Sequence, residues 1–471
     1  MELTALAIEA AFGETGDFVA REVEAAGWRL RLYFIDGLVT GGTISEYVLR
    51  PLAQALTGAN MGQLVERAER GTVYNAVCVR VTDGADALSK LLNGFAVVLF
   101  PGEKTALAFE AKTTVNRSTG APQVENTVKG AKDAFNENMR INTGLIRRHM
   151  RSEKLRFTQL VVGTQTATNV SVAWVDGVTD PELIERTVQR LKSLDVDSLA
   201  TTAAAEEYLT GSRKTAFPLL QYTERTDRFV TALLAGRVGI LIDGLPLAYL
   251  APVNLGRLMD SPEDLSRDFV SASALRVLRY AALLVTLLLP GLYVAMAAFH
   301  QEMLPTALLQ SVIESKQNVP FPTIIEVLFL LLAFEILQEA GLQLPQSIGQ
   351  TVSIIGGLVV GSAAVEAKLI SPAALIAVSV AGICGFALPE RDFADAIRIW
   401  RLVLAVAASI AGLFGLTAAV LLLVARLAGL QSYGAAYLAP FSAASGGGAI
   451  LRKRLVTRNQ KPEDAGQEGK P

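Results

Sequence analysis

Cysteine and histidine are almost missing: two of each in 471 residues, and that scarcity removes several classes of function together. Cys78 and Cys384 fall in parts of opposite character, so neither a structural disulfide nor a cysteine metal site is expected. His149 and His300 are equally far apart, which leaves no Ser-His-Asp arrangement, and His300-Gln301-Glu302 lacks a companion set of metal ligands. Charge of one sign is missing too. The 43 Lys and Arg against 45 Asp and Glu give a net charge of −2, a poor field for nucleic acid. The glycine-rich GLVTGG (37–42) and GSAAV (361–365) lack the lysine and spacing of a phosphate-binding loop, so no nucleotide or other cofactor is expected. With no nucleophile–base pair or metal set in view, the chain does not read as an enzyme. The opening MELTALAIEAAFGETGDF has neither a basic nor an apolar leader region, so the soluble part is expected on the cytoplasmic side.

Long apolar runs, by contrast, are abundant after about residue 275. Mean hydropathy is +0.37, an average over a charged front part and an apolar rear part. About 20 apolar residues span a bilayer. Five segments qualify, 278–299, 322–340, 347–369, 371–389 and 402–428, and a weaker sixth or re-entrant one covers 432–451. Arg276 and Arg279, then Arg391, Arg398 and Arg401, then Arg452, Lys453 and Arg454 form three basic clusters that the positive-inside rule puts in the cytoplasm. On this count the tail returns inside only if 432–451 crosses or re-enters.

Acids sit where lipid should exclude them. The run FPTIIEVLFLLLAFEILQEAG (321–341) carries Glu326, Glu335 and Glu339, with Glu335 and Glu339 on one helical face at i, i+4. Ionisable groups at membrane depth are costly and mark candidate functional positions. In the third segment Gly349, Ser353, Gly357 and Gly361 recur every four residues as one small-residue ridge. Such a ridge serves close helix packing, or it faces a narrow water path in an oligomer. Between Pro305 and Pro320, TALLQSVIESKQNV reads as a short interfacial helix.

The front part shows an apolar strand ending in Asp-Gly three times: LYFIDGL (32–38), VAWVDGV (172–178) and LIDGLP (241–246). Helical spacing follows over 43–56 and 181–194, with Asp180 as N-cap. Residues 95–112 read as a hairpin around Pro101-Gly102 and 156–176 as a second strand pair. The fold class expected is therefore a two-lobed α/β cytoplasmic region followed by an all-α multi-span membrane domain. Boundaries fall at 1–130 and 131–265 for the lobes, 270–451 for the membrane domain and 452–471 for a polar basic tail. Arg140, Arg147, Arg148, His149 and Arg151 form a basic patch, read as a solvated helical face or as an anion or partner contact.

YFIDGLV (33–39), FNENMRINTGLIRR (135–148), YTERTDRFVTALLAGRVGILIDGLPLAYLAP (222–252), LPGLYVAM (289–296), NVPFPTIIE (318–326), EILQEAGLQLP (335–345), GGLVVGSAAVEAKLISP (356–372) and SYGAAYLAP (432–440) occur in this order. Together they resemble the GerA family of spore germination proteins, specifically its A-type subunits. The resemblance covers roughly residues 10–455. It implies a subunit in the spore inner membrane that assembles as a ring, a pentamer, with a transporter-like B subunit and a lipoprotein C subunit. It also implies a channel for monovalent cations that opens when nutrient binds. Within that frame Glu335 and Glu339 favour cations. The Gly349, Ser353, Gly357 and Gly361 face, with Val360, Ala364 and Val365 nearby, is the expected constriction. Thr226 and Lys316 depart from the family pattern and admit a SpoVA-associated paralogue that amplifies ion release. A non-conducting receptor or scaffold is the other reading.

Overall fold

The computed structural model describes residues 2–451, apart from 26, 55–59, 74, 76, 114–121, 123–124, 126–128, 200, 212–214, 344–360, 440 and 442–450. These residues form two compact units. Within the described residues the first comprises the chain up to Arg213 with Leu220–Pro252, and the second the chain between them up to Leu219 with Val253 to Leu451.

The first unit contains two antiparallel five-stranded sheets. β1 (Phe18–Ala25), β2 (Trp28–Ile35), β3 (Cys78–Val81), β4 (Phe95–Leu99) and β5 (Ala106–Glu110) lie in the order β1-β2-β4-β5-β3. β6 (Leu155–Val162), β7 (Thr168–Val175), β8 (Gln221–Thr223), β9 (Val238–Ile242) and β10 (Ala248–Ala251) lie in the order β6-β7-β9-β10-β8. The two orders are the same path drawn twice. Asp36-Gly37 and Asp176-Gly177 end the second strand of each copy, whereas Asp243-Gly244 turns the β9–β10 hairpin where the first copy uses Pro101-Gly102.

β4 reads FAVVL without alternation because both of its faces are covered. Leu30, Leu32, Ala96 and Val98 pack under the helical stretch holding Ile44, Val48, Leu52 and Leu64. Tyr33, Ile35 and Val97 pack on the other side against α1 (Ala5–Phe12) and α2 (Gly84–Leu92). In the second copy α3 (Met139–His149) and α5 (Thr226–Leu234) cover Phe157, Ala173 and Leu241, and α4 (Pro181–Lys192) follows β7 with Asp180 accepting from the Glu182 amide as expected.

Two features fasten the copies together. Gly37 and Gly144 meet backbone to backbone, and a Cβ on Gly144 would lie 2.5 Å from the Gly37 carbonyl oxygen. Beside them Arg147, wholly buried, makes a two-pronged bond to Asp17 at 2.6 and 2.9 Å and donates to the Ser152 and Leu155 carbonyls.

The second unit is helical: α6 (Phe269–Ala298), α7 (Thr306–Lys316), α8 (Thr323–Gln343), α9 (Pro372–Gly385) and α10 (Arg391–Ala428). Asp268 caps α6 by accepting from the Ser271 amide at 3.0 Å. Buried Asp264 receives Arg276 and Arg279, and Arg279 also donates to the Met259 carbonyl at 2.7 Å. The first basic cluster is thus tied to acids just outside the apolar helix.

The multi-span expectation needs correction. Among the described residues two helices, not five, are long and apolar enough to cross a membrane, α6 and α10. Helix α8 has the length, but its three acids interrupt the apolar run. Helix α9 has 14 residues, about 21 Å, short of a hydrocarbon core of about 30 Å. Most of 347–369 and all of 452–471 lie outside the described residues. Nor is 432–451 a helix at its start. Gln431–Ser432 pairs with Ala435–Ala436 as a minimal hairpin, turned at Tyr433 and Gly434 with φ of 49° and 88°.

Helix α10 is also not one straight rod. Ala411 (φ −135°, ψ 21°) and Gly412 (φ 60°, ψ −137°) break it. A Cβ on Gly415 would overlap the Ala407 carbonyl oxygen, and one on Gly291 would meet both the Leu416 side chain at 3.0 Å and the Leu404 carbonyl at 3.3 Å. Residues on the two sides of the break are therefore neighbours, and the chain reverses. The legs, 391–410 and 413–428, are about 30 and 24 Å long at 1.5 Å per residue. Phe217 sits at their common open end, 6.1 Å from Phe393 and 6.2 Å from Tyr437 between ring centres. The chain therefore doubles back within α10 itself, before 432–451 is reached.

Candidate functional site

Two ionic clusters lie among the apolar helices of the second unit. In the first, Glu335 of α8 faces α10. Arg401 Nη2 donates to Glu335 Oε1 at 2.5 Å and Arg398 Nη1 to Oε2 at 3.4 Å, while Arg398 also pairs with Asp395 at 2.7 Å. The Arg401 side chain is 3% exposed and that of Glu335 34%, so the cationic partner is the one that lipid and water cannot reach. The pair bolts α8 to the first leg of α10.

The second cluster sits at the start of α8. Glu326 is 1% exposed. Its Oε2 accepts from the Ser371 amide at 2.9 Å and the Ser371 hydroxyl at 2.6 Å, and Ser371 in turn caps α9. Oε1 faces the Lys316 ammonium at 3.4 Å, and Lys316 also donates to the Thr323 hydroxyl. Glu326 thereby ties α7, α8 and α9 together.

Of the residues expected from the sequence, Gly349, Ser353, Gly357 and Val360 lie outside the described residues. Gly361 is buried, and a Cβ there would touch Leu375 at 3.5 Å. Ala364 is half-buried against the cluster of Val327, Leu331 and Ala374, and Val365 is half-buried beside it. Glu339 is exposed, so Glu335 and Glu339 share a helical face but not an environment. The spacing of the acids was visible; the roles of Arg398, Arg401, Ser371 and Lys316 were not. In the sequence Arg398 and Arg401 read as markers of sidedness, although their i, i+3 spacing on an apolar helix is a signal in itself.

Four members of the basic patch of the first unit, Arg140, Arg148, His149 and Arg151, are exposed, and Arg147 is buried. Arg147 is buried on Asp17, Arg140 pairs with Asp36, and Arg151 donates to Asn93 at 2.7 Å. His149 Nε2 lies 2.6 Å from Asp133 and 3.1 Å from the Thr226 hydroxyl. Burial raises the Asp133 pKa, but the His149 hydrogen bond, with the nearby charges of His149 and Arg148, outweighs it and holds the carboxyl below its usual range. Among the described residues no group of three or more His, Cys, Asp or Glu side chains is placed to hold a metal ion.

Residues 7–464 match the model of the Bacillus/Clostridium GerA spore germination protein family. The chain belongs to the GerA family. Among relatives, spore germination protein B1 of Bacillus subtilis (strain 168) is 32% identical over 442 residues, covering 92% of this chain and 91% of that one. Spore germination protein KA of the same organism is 32% identical, covering 97% and 85%. The membrane protein YfkQ, also of that organism, is 36% identical over 413 residues, covering 87% and 80%. The N-terminal domain of the A subunit of the Bacillus megaterium spore germinant receptor GerK3 has a crystal structure that superposes with TM-score 0.41 at 24% identity, covering 52% of this chain and 91% of that one. In this GerA-family chain three of the stretches that carried the resemblance also hold structural fasteners. FNENMRINTGLIRR holds Gly144 and Arg147, NVPFPTIIE holds Glu326, and EILQEAGLQLP begins at Glu335.

Proposed function

We propose that this chain is the A-type subunit of a spore germinant receptor, and that its helical unit lines a path for monovalent cations, closed in the arrangement described above. Family membership and the names of the relatives support the germination role. The observation that carries the channel reading is the Glu335–Arg401–Arg398 cluster. Charges among apolar helices are costly and persist where they serve transport or gating. Here the acid is neutralised, so the cluster acts as a latch. Separating α8 from α10 exposes Glu335, and an exposed acid ring favours cations. Opening is then a population shift between two packings, biased by nutrient binding elsewhere in the receptor. In this reading the subunit sits in the spore inner membrane with its first unit in the cytoplasm. It assembles with further copies of itself as a pentamer, with a transporter-like B subunit and with a lipoprotein C subunit. The constriction is assigned to the small-residue face that includes Gly361, Ala364 and Val365.

The test is potassium release from liposomes holding the purified chain, alone and with its partner subunits. Glu335→Gln is expected to raise basal release by loosening the latch. If neither the native chain nor the variant conducts under any partner combination, the subunit is a non-conducting scaffold and the channel reading is wrong.

A further inference from the structure

A cavity of about 510 Å³ opens between the end of α6, the inner side of α7 and the start of α8. Its volume falls within the range of about 300–1,000 Å³ common to small-molecule sites. The walls are of two kinds. Val294, Ala297, Val312 and Ile324 make an apolar floor, while Lys316, Gln301, Gln317 and Ser409 stand at its polar side. We infer that this cavity holds one acyl chain of a membrane phospholipid, whose phosphodiester accepts a hydrogen bond from the Lys316 ammonium.

Three observations favour this occupant. The ammonium has three donors. Thr323 takes one, and Glu326 Oε1 lies 3.4 Å away as an ion-pair partner without a hydrogen bond, which leaves donor capacity for a ligand in the cavity that Lys316 lines. Glu326 cannot swing out to compete, because the Ser371 amide and hydroxyl fix its other oxygen. The surroundings are those of a membrane boundary: Leu308 and Ile313 on α7, with Phe321 and Ile325 at the start of α8, are exposed large apolar side chains beside the polar rim. Amphipathic helices that lie in the bilayer interface bury such residues among acyl chains and hold their polar groups at headgroup level. A phospholipid satisfies the apolar floor and the lysine together. Inorganic phosphate satisfies only the lysine.

The inference rests on the helical unit lying in a bilayer, so flotation of the vesicles is measured first. Protein that fails to float overturns both readings. The full chain is placed in phosphatidylethanolamine vesicles containing phosphatidylglycerol with a photoreactive acyl chain, and crosslinked peptides are mapped. Labelling is expected to concentrate on 294–299 and 309–324. Lys316→Met should lower it about tenfold, equivalent to about 1.4 kcal/mol, and Val312→Trp, which fills the floor, should abolish it while the protein still floats. Unlabelled phosphatidylglycerol should compete. Even labelling of every apolar helix, unchanged in both variants, overturns the proposal. Equal protection by inorganic phosphate, or by a short water-soluble amphiphile, identifies a free ligand instead and also overturns it.

Discussion

Replacing Glu335 by glutamine probes the latch directly, and its cost can be bounded from the structure. Arg401 is 3% exposed at 2.5 Å from Glu335, Arg398 adds a contact at 3.4 Å, and the Glu335 side chain is 34% exposed. Breaking a buried ion pair costs about 3–5 kcal/mol and breaking an exposed one about 0–1 kcal/mol. Here one partner is buried, the other is a third exposed, and glutamine keeps an acceptor oxygen, so about 2 kcal/mol is expected. For a unit of this size that lowers the melting temperature by about 4–8 °C. The same 2 kcal/mol, applied to a closed packing alone, raises the open fraction about thirtyfold. The assay is thermal unfolding of the full chain in detergent for Glu335→Gln, Arg401→Gln and the pair. The double variant should be more stable than the sum of the singles implies, by about 1 kcal/mol or more, because each single leaves a charge without its partner. Strictly additive losses, or an unchanged melting temperature for Glu335→Gln, would falsify the latch.

What the sequence disclosed follows from the range of each interaction. The Asp-Gly turns, the hairpin at Pro101-Gly102 and the cap at Asp180 depend on neighbours a few residues away, and they could be read directly. The duplication of the two sheets could not, because the copies share a path rather than a residue pattern; only strand order reveals it. Glu335 of α8 was conspicuous, but its partners lie 63 and 66 residues downstream, and nothing local to EILQEAG names them. Arg147 looked like one member of a basic patch, whereas its ligand, Asp17, is 130 residues away. The reversal in α10 was hidden for a related reason. GLFGL in an apolar run reads as close packing. What makes it a turn is that α6 supplies partners for both legs, so that folding back buries Leu404, Ala408, Leu416 and Ala419 in one cluster.

Three further outcomes test the parts outside the latch. Asp264 should make stability depend on pH. Burial pushes its pKa up, but the hydrogen bond and charge of Arg279, with Arg276, outweigh this and hold it low. A depressed folded-state pKa contributes stability above the unfolded value of about 3.9, lost as pH falls below it. Asp264→Asn should therefore flatten the decline in unfolding temperature between about pH 5 and 3, measured on the full chain; an unaltered decline removes Asp264 from the account. The reversal of α10 predicts sidedness. With Cys78 and Cys384 replaced by serine, single cysteines at Arg391 and Gly429 should react with an impermeant maleimide from the same side of sealed vesicles. A straight helix of 38 residues would place them on opposite sides. Gly412→Val supplies the causal half of the argument. Its φ of 60° and ψ of −137° strain any side-chain-bearing residue, and a Cβ there would lie 2.6 Å from His300 Cε1. Backbone strain alone costs about 1–3 kcal/mol, so the variant should lose stability by at least that much. Replacing His300 by alanine beside it should recover only the part due to the clash. Full recovery would mean that the contact with His300, rather than the glycine conformation, dictates the turn.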